Sequence, residues 1–249
     1  GDIKFKLTLN EESALCQAVF NTDTGLPIVV CGFNTSGFQY GAMQLVGSKW
    51  ETLNVTGDIG IAELGREYKV KISVLGSFID MYVDGVKVVS AYARTKKSQV
   101  RFLIQSEKEV EIKEIKITDH KPRAFVIMQF SPNFNQLYEE VIKPVTEEFG
   151  ILCERADEYN TTNPIIEDIV SSIREASVII ADITPDNPNV FYEVGYAHAI
   201  NKPTILLSNK TREKLPFDVS SFRTLFYDNT IAGKTQVETR LRKFLENIF

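Results

Sequence analysis

The chain has 249 residues, 43% of them hydrophobic and 24% charged, and carries a net charge of −5. That length accommodates two domains, and the composition is that of a globular protein rather than a disordered one. The negative balance excludes the electrostatic footprint of a nucleic-acid or anionic-membrane binder, and no apolar run approaches the ~18 residues of a membrane span. No leader pattern opens the sequence, and the three cysteines (Cys16, Cys31, Cys153) form no CxxC pair, which suits reduced thiols in the cytoplasm. With two histidines, His120 and His198, metal-ligand clusters are thin, and neither a metal nor a bound cofactor is expected.

Residues 1 to about 118 read as all-β. Ile3, Phe5, Leu7 and Leu9 alternate with polar residues, as a half-buried strand requires. Thr24-Gly25 and Ser36-Gly37 are turn signals on either side of Ile28-Val29-Val30. Ile79 to Val89 predicts a hairpin closed by Asp84-Gly85, and Val100–Ile104 and Val110–Ile117 add two strands. Many short strands between turns indicate a sandwich. Phe38, Tyr40, Trp50 and Tyr82 offer either core packing or a sugar platform. The polar, Pro-containing segment from Thr118 to Arg123 has linker composition, which puts a domain boundary near residue 120 and makes His120 a solvated linker residue.

From Arg123 the period changes. Ala124–Met128 is a continuous apolar run, the mark of a buried parallel strand. Asn133–Phe149 predicts a helix that Pro144 should kink or divide. Ile151–Ala156 predicts the second strand, and Asn163-Pro164 the N-cap and N1 of the next helix, with Ile165, Ile166, Ile169, Val170 and Ile173 as its apolar face. A strand at 178–182, a helix near 189–200, strands at 204–207 and 224–227 and a helix from Thr235 complete the pattern. Five strands alternating with helices predict a doubly wound α/β domain over 121–249, after a β-sandwich over 1–120. No Gly-rich phosphate loop is present.

The stretch from Ala181 to Lys202, ADITPDNPNVFYEVGYAHAINK, carries the chemistry. Asp182 closes a strand and Glu193 follows in the next helix, so both point to the edge where open parallel sheets bind ligands. With Asn189 as N-cap, Glu193 is about the fourth helical residue, where the helix dipole favours its ionised form. Gly195 suggests a close approach of backbone, neighbouring strand or ligand. An ionised carboxylate there suits attack on, or stabilisation of, an electrophilic sugar carbon. Simple complementation of a helix N-terminus is the other role open to it.

The runs ADIT and NPNVFYEVGYAHA resemble the nucleoside 2-deoxyribosyltransferase superfamily and are similar to bacterial TIR-type domains, over roughly residues 122–249. That resemblance implies a flavodoxin-like strand order, 2-1-3-4-5, and N-glycosidic bond cleavage with Glu193 as the catalytic carboxylate. It also implies base-proton handling by Asp168 and substrate orientation by Asp182. The helical spacing, however, sets Asp168 roughly 130° from the centre of its helix's apolar face, which leaves a solvated flank position open. Gln129 and Phe130, after the first strand, are candidates to bond and stack on a base, with covering of the sheet end the other role open to Phe130; Asp157 and Glu158 either bind a ribose hydroxyl or make a turn. Asn189 and Tyr192 flank Glu193 as further substrate contacts, while His198 shares a packed face with Val190 and Val194. No match is found for the N-terminal tyrosine or the partner-donated C-terminal residues of the deoxyribosyltransferases.

Residues 66–90, REYKVKISVLGSFIDMYVDGVKVVS, resemble the central strands of a concanavalin-like, laminin-G-type jelly roll. The combination implies an enzyme acting on a nucleoside, nucleotide or NAD (as substrate, not cofactor). A ligand-sensing or assembling sandwich, a homo-oligomer and a regulated antiphage effector are further expectations. A non-enzymatic nucleotide-binding or TIR-like interaction module, and a carbohydrate-binding scaffold, remain the alternatives.

Overall fold

The computed structural model describes residues 1–158, 165–212 and 214–249. The expected N-cap pair Asn163-Pro164 lies outside the described residues. The chain divides into two compact units, Gly1–His120 and Lys121–Phe249. No helix among the described residues is long and apolar enough to cross a membrane.

The first unit holds ten strands: β1 Asp2–Leu9, β2 Leu15–Phe20, β3 Ile28–Thr35, β4 Phe38–Val46, β5 Lys49–Asp58, β6 Glu67–Leu75, β7 Phe78–Val83, β8 Val86–Tyr92, β9 Arg101–Gln105 and β10 Val110–Thr118. They form two antiparallel sheets, β10-β1-β6-β7-β8 and β5-β4-β3-β2-β9. Alternation decides the burial. Ile3, Phe5, Leu7 and Leu9 turn inward from one sheet, and Cys16, Cys31 and Phe33 meet them from the other. The β7–β8 turn uses Asp84 at φ 50° and Gly85 at φ 85°, the paired positive φ values of a type I′ hairpin. All three cysteines are buried and free.

The four candidate platform aromatics do not share a surface. Tyr82 stands in the other sheet with the Lys71 and Lys87 ammonium groups 5.4 and 5.7 Å from its ring centre. Tyr40 turns onto the core ring of Phe33, 5.0 Å away and edge-on. Phe38 and Trp50 remain partly exposed, at opposite ends of the β4–β5 hairpin, paired with Asp58 and Leu45 respectively.

The second unit has β11 Arg123–Ile127, β12 Leu152–Arg155, β13 Val178–Asp182, β14 Thr204–Asn209 and β15 Thr224–Tyr227. They pair in parallel in the order β12-β11-β13-β14-β15, the predicted 2-1-3-4-5. Every residue of β13 is buried, because helices cover both faces of such a sheet. The helices are α1 Pro132–Leu137, α2 Lys143–Glu148, α3 Ile165–Glu175, α4 Pro188–Ala199 and α5 Ile231–Ile248. Pro144 acts as predicted, with a specific form: a π-helical turn, Tyr138–Ile142, joins α1 to α2. Lys143 N–H bonds the Tyr138 carbonyl, and the wider turn accommodates a proline that has no N–H for a regular bond. The last helix starts earlier than the Thr235 expected, because the Thr230 side chain caps it by accepting from Gly233 N–H at 2.9 Å. Gly233 itself is required, since a Cβ there would lie 2.0 Å from the Asp228 carbonyl oxygen.

Ile180 is fully buried at the centre of this sheet. Ile180→Ala is expected to destabilise the Lys121–Phe249 unit by about 2–5 kcal/mol. Faster hydrogen exchange across β11, β13 and β14 would register it; protection unchanged from wild type would contradict this account of the core.

Candidate active site

A cavity of ≈ 600 Å³ opens beyond the carboxyl ends of β11 and β12, bounded by the first turns of α3 and α4. Gln129 and Phe130 reach it from the end of β11, and Asp157 from the end of β12. Asp168 enters from α3, with Asn189, Tyr192 and Glu193 from α4. The structure thus brings together all the sequence-nominated site residues except Asp182. The first turn of α3 does not pack on the sheet as its apolar spacing suggested. Ile165 is 76% exposed and Ile166 48%, and both line the cavity. The N-terminal part of that face, with Ile169, therefore opens on the cavity and Asp168 opens there with it, while Ile173 is buried as expected.

The α4 start also differs from expectation. Asn187, not Asn189, is the N-cap, and its side chain accepts from Asn189 N–H at 3.0 Å. Pro188 takes the first helical position, where its missing N–H costs nothing. Glu193 therefore falls in the second turn, beyond the reach of the helix-terminal field. Its pKa moves the other way: burial without a compensating partner pushes it up to about 7. Among the described residues the Glu193 carboxylate has no hydrogen-bond or ion-pair partner. A Cβ added at Gly195 would meet nothing within 4 Å outside its own helix, so no neighbouring backbone or strand approaches it.

Asp157 is the most firmly held carboxylate. Arg155 Nε and Nη2 donate to its two oxygens at 2.6 Å each, a bidentate pair. The guanidinium is almost wholly buried. It also donates to Asn135 Oδ1 at 3.0 Å and lies over the rings of Phe130 and Tyr138, at 5.3 and 4.4 Å. Arg155 thus fixes a carboxylate and an aromatic wall of the cavity at once. Composition and spacing carry no sign of this role; only its position two residues before a strand-end Asp is visible along the chain.

Asp182 is turned inward. It is 1% exposed, accepts from Tyr227 Oη at 2.6 Å and from Thr184 N–H at 2.8 Å, and does not line the cavity. The expected substrate contact gives way to a structural one, since a strand-end Asp readily caps its own loop. Burial raises its pKa to about 6 despite those bonds. Arg212, which the sequence did not single out, holds the same loop from outside: it donates to the Ile183 carbonyl, pairs with Asp186 and lies 5.6 Å over the Phe191 ring of α4. His198 packs as expected, stacked 4.1 Å from Phe222, with its Nε2 buried and without a hydrogen-bond partner among the described residues. Among the described residues no group of three or more His, Cys, Asp or Glu side chains is disposed to hold a metal ion.

The Glu193 shift has a stability consequence. Its folded pKa, about 7, lies above the ordinary 4.5. Stability is therefore full below the unfolded value and falls as pH rises towards the folded one. Glu193→Gln removes that titration. The variant should melt higher than wild type at pH 8 and equally at pH 4; an identical difference at both pH values would contradict the desolvated carboxylate.

Residues 128–240 match the family model described as nucleoside 2-deoxyribosyltransferase. No curated protein matches the chain. Among solved structures it is similar to the CMP N-glycosidase BcmB of Clostridium botulinum, at 21% identity over 48% of this chain and 97% of that one, TM-score 0.36. It is similar to the TIR domain of the Toll-related receptor TRR-2 of Hydra magnipapillata, at 15% identity over 50% and 96%, TM-score 0.41. The galectin LEC-6 of Caenorhabditis elegans is a third, at 13% identity over 47% and 81%, TM-score 0.37. The family model covers most of the Lys121–Phe249 unit, and the cavity with Glu193 lies largely within the matched span: this unit resembles the nucleoside 2-deoxyribosyltransferases.

Proposed function

We propose that the Lys121–Phe249 unit breaks an N-glycosidic bond of a nucleoside-type substrate, with Glu193 as the carboxylate that meets the sugar. The observation that carries this is Glu193 itself: a half-buried carboxylate without a hydrogen-bond partner among the described residues, in a cavity shared with Asp168, Asp157 and the exposed rings of Phe130 and Tyr192. The family match over residues 128–240 supports the same reaction class.

The chemistry follows from the environment. Burial makes ionised Glu193 costly in the free protein. As the C1′–N bond lengthens, its electron pair moves to the base and positive charge grows on the sugar. That charge stabilises the carboxylate, so the interaction is stronger in the transition state than before it. Glu193 then closes on C1′ as a glycosyl ester, while Asp168 serves the proton that the leaving base takes up. Water or a second base reopens the ester, giving hydrolysis or transfer. Phe130 and Tyr192 supply faces for the base, and the Arg155-held carboxylate of Asp157 accepts from a sugar hydroxyl.

An HPLC time course with deoxynucleosides, nucleosides, nucleotides and NAD tests this. Wild type should release free base, and Glu193→Gln should be slower by on the order of 10³-fold or more. Wild-type kcat/KM should rise with pH through about 7, where the attacking carboxylate ionises. Tight ligand binding with no base release by either protein would make the unit a binding module instead.

A further inference from the structure

The charge lining the cavity narrows its substrate, on the premise that the N-glycosidic reading above is right. Three carboxylates, Asp157, Asp168 and Glu193, face the cavity, and no lysine, arginine or histidine lines it among the described residues. Residues 159–164, Tyr-Asn-Thr-Thr-Asn-Pro, contain no basic side chain either. The guanidinium behind the wall, that of Arg155 over Phe130, is spent on both oxygens of Asp157. A phosphate would ordinarily turn to a helix N-terminus, but two of the first three positions of α4 offer it no donor. Pro188 has no N–H, and the Asn189 N–H is already taken by the Asn187 side chain.

Beside these carboxylates stand two exposed rings, Phe130 at 54% and Tyr192 at 61%. Aromatic faces next to anionic groups favour a flat cation. We infer that the substrate of this site is a phosphate-free N-glycoside whose leaving ring already carries positive charge, such as a pyridinium riboside or an N7-alkylated purine nucleoside. Nucleotides and NAD, which bring phosphate into an anionic cavity, are disfavoured.

The reaction balances without a proton donor. The C1′–N bond breaks, its electron pair discharges the ring cation, and the neutral base departs. Glu193 bonds C1′; water then attacks C1′, the ester C–O pair returns to the carboxylate, and one proton passes to solvent. A cationic ring also offsets the burial of Glu193 before any bond breaks, so binding itself favours the ionised form.

The test compares the full chain on nicotinamide riboside, nicotinamide mononucleotide, inosine and cytidine, following base release by HPLC at low and raised salt. Nicotinamide riboside should show a kcat/KM at least about 10-fold above its 5′-phosphate and above both neutral nucleosides, with the gap to the phosphate narrowing as salt screens the field. Asp157→Asn, which unpairs the Arg155 guanidinium, should narrow the same gap at low salt. Equal or faster turnover of the mononucleotide, or a preference for inosine or cytidine, overturns the inference while leaving N-glycosidic cleavage intact. Base release from none of the four, but from a deoxynucleoside or NAD assayed beside them, overturns the inference alone; release from none of the six overturns both.

Discussion

A parallel sheet covered by helices on both faces meets solvent only at the ends of its strands, and the organisation of the second unit follows from that constraint. β13 is buried along its whole length, and β11 nearly so. Polar chemistry is thus displaced to the residues just beyond Ile127, Arg155 and Asp182, where the backbone turns toward the next helix. The cavity lies there, between chain segments remote in sequence that the order β12-β11-β13 brings side by side. Helix starts, rather than helix faces, supply the remaining walls.

Two carboxylates of this edge illustrate how environment divides roles among identical groups. Asp157 has both oxygens held by a buried guanidinium, which fixes its position and neutralises its charge. Glu193, on the first turns of α4, has neither a cation nor a donor among the described residues, and burial raises its pKa. A fixed, compensated carboxylate suits binding. An uncompensated one is poised to respond to charge that arrives with a substrate or develops during bond breaking. Asp182, eleven residues before Glu193 in the chain, is compensated by Tyr227 and Thr184 inside the protein and serves the loop that leads into α4.

Much of the fold was legible because its signals are local. Two-residue alternation in β1, the Asp84-Gly85 turn and the apolar runs of β11 and β13 each express a backbone geometry that neighbouring residues alone enforce. The α4 cap lies two residues before the expected one because Asn187 and Asn189 are chemically equivalent candidates, and Pro188 between them resolves the choice only once the helix register is known. Asp168 is ambiguous in sequence for a related reason. Helical spacing reports which side chains are apolar, but not whether the first turn of a helix lies against a sheet or over a cavity.

Periodicity and turn chemistry are written along the chain and suffice for the two architectures, while the strand order and the pairing of Asp168 with Glu193 were implied by the family resemblance of its motifs. Three features needed the folded molecule: Asp182 turns inward, Arg155 is consumed by Asp157 and Phe130, and Glu193 stands without a partner among the described residues. The reason is physical. Burial and ion pairing depend on which distant segments converge, and a carboxylate's solvation is a property of that convergence rather than of its neighbours in sequence.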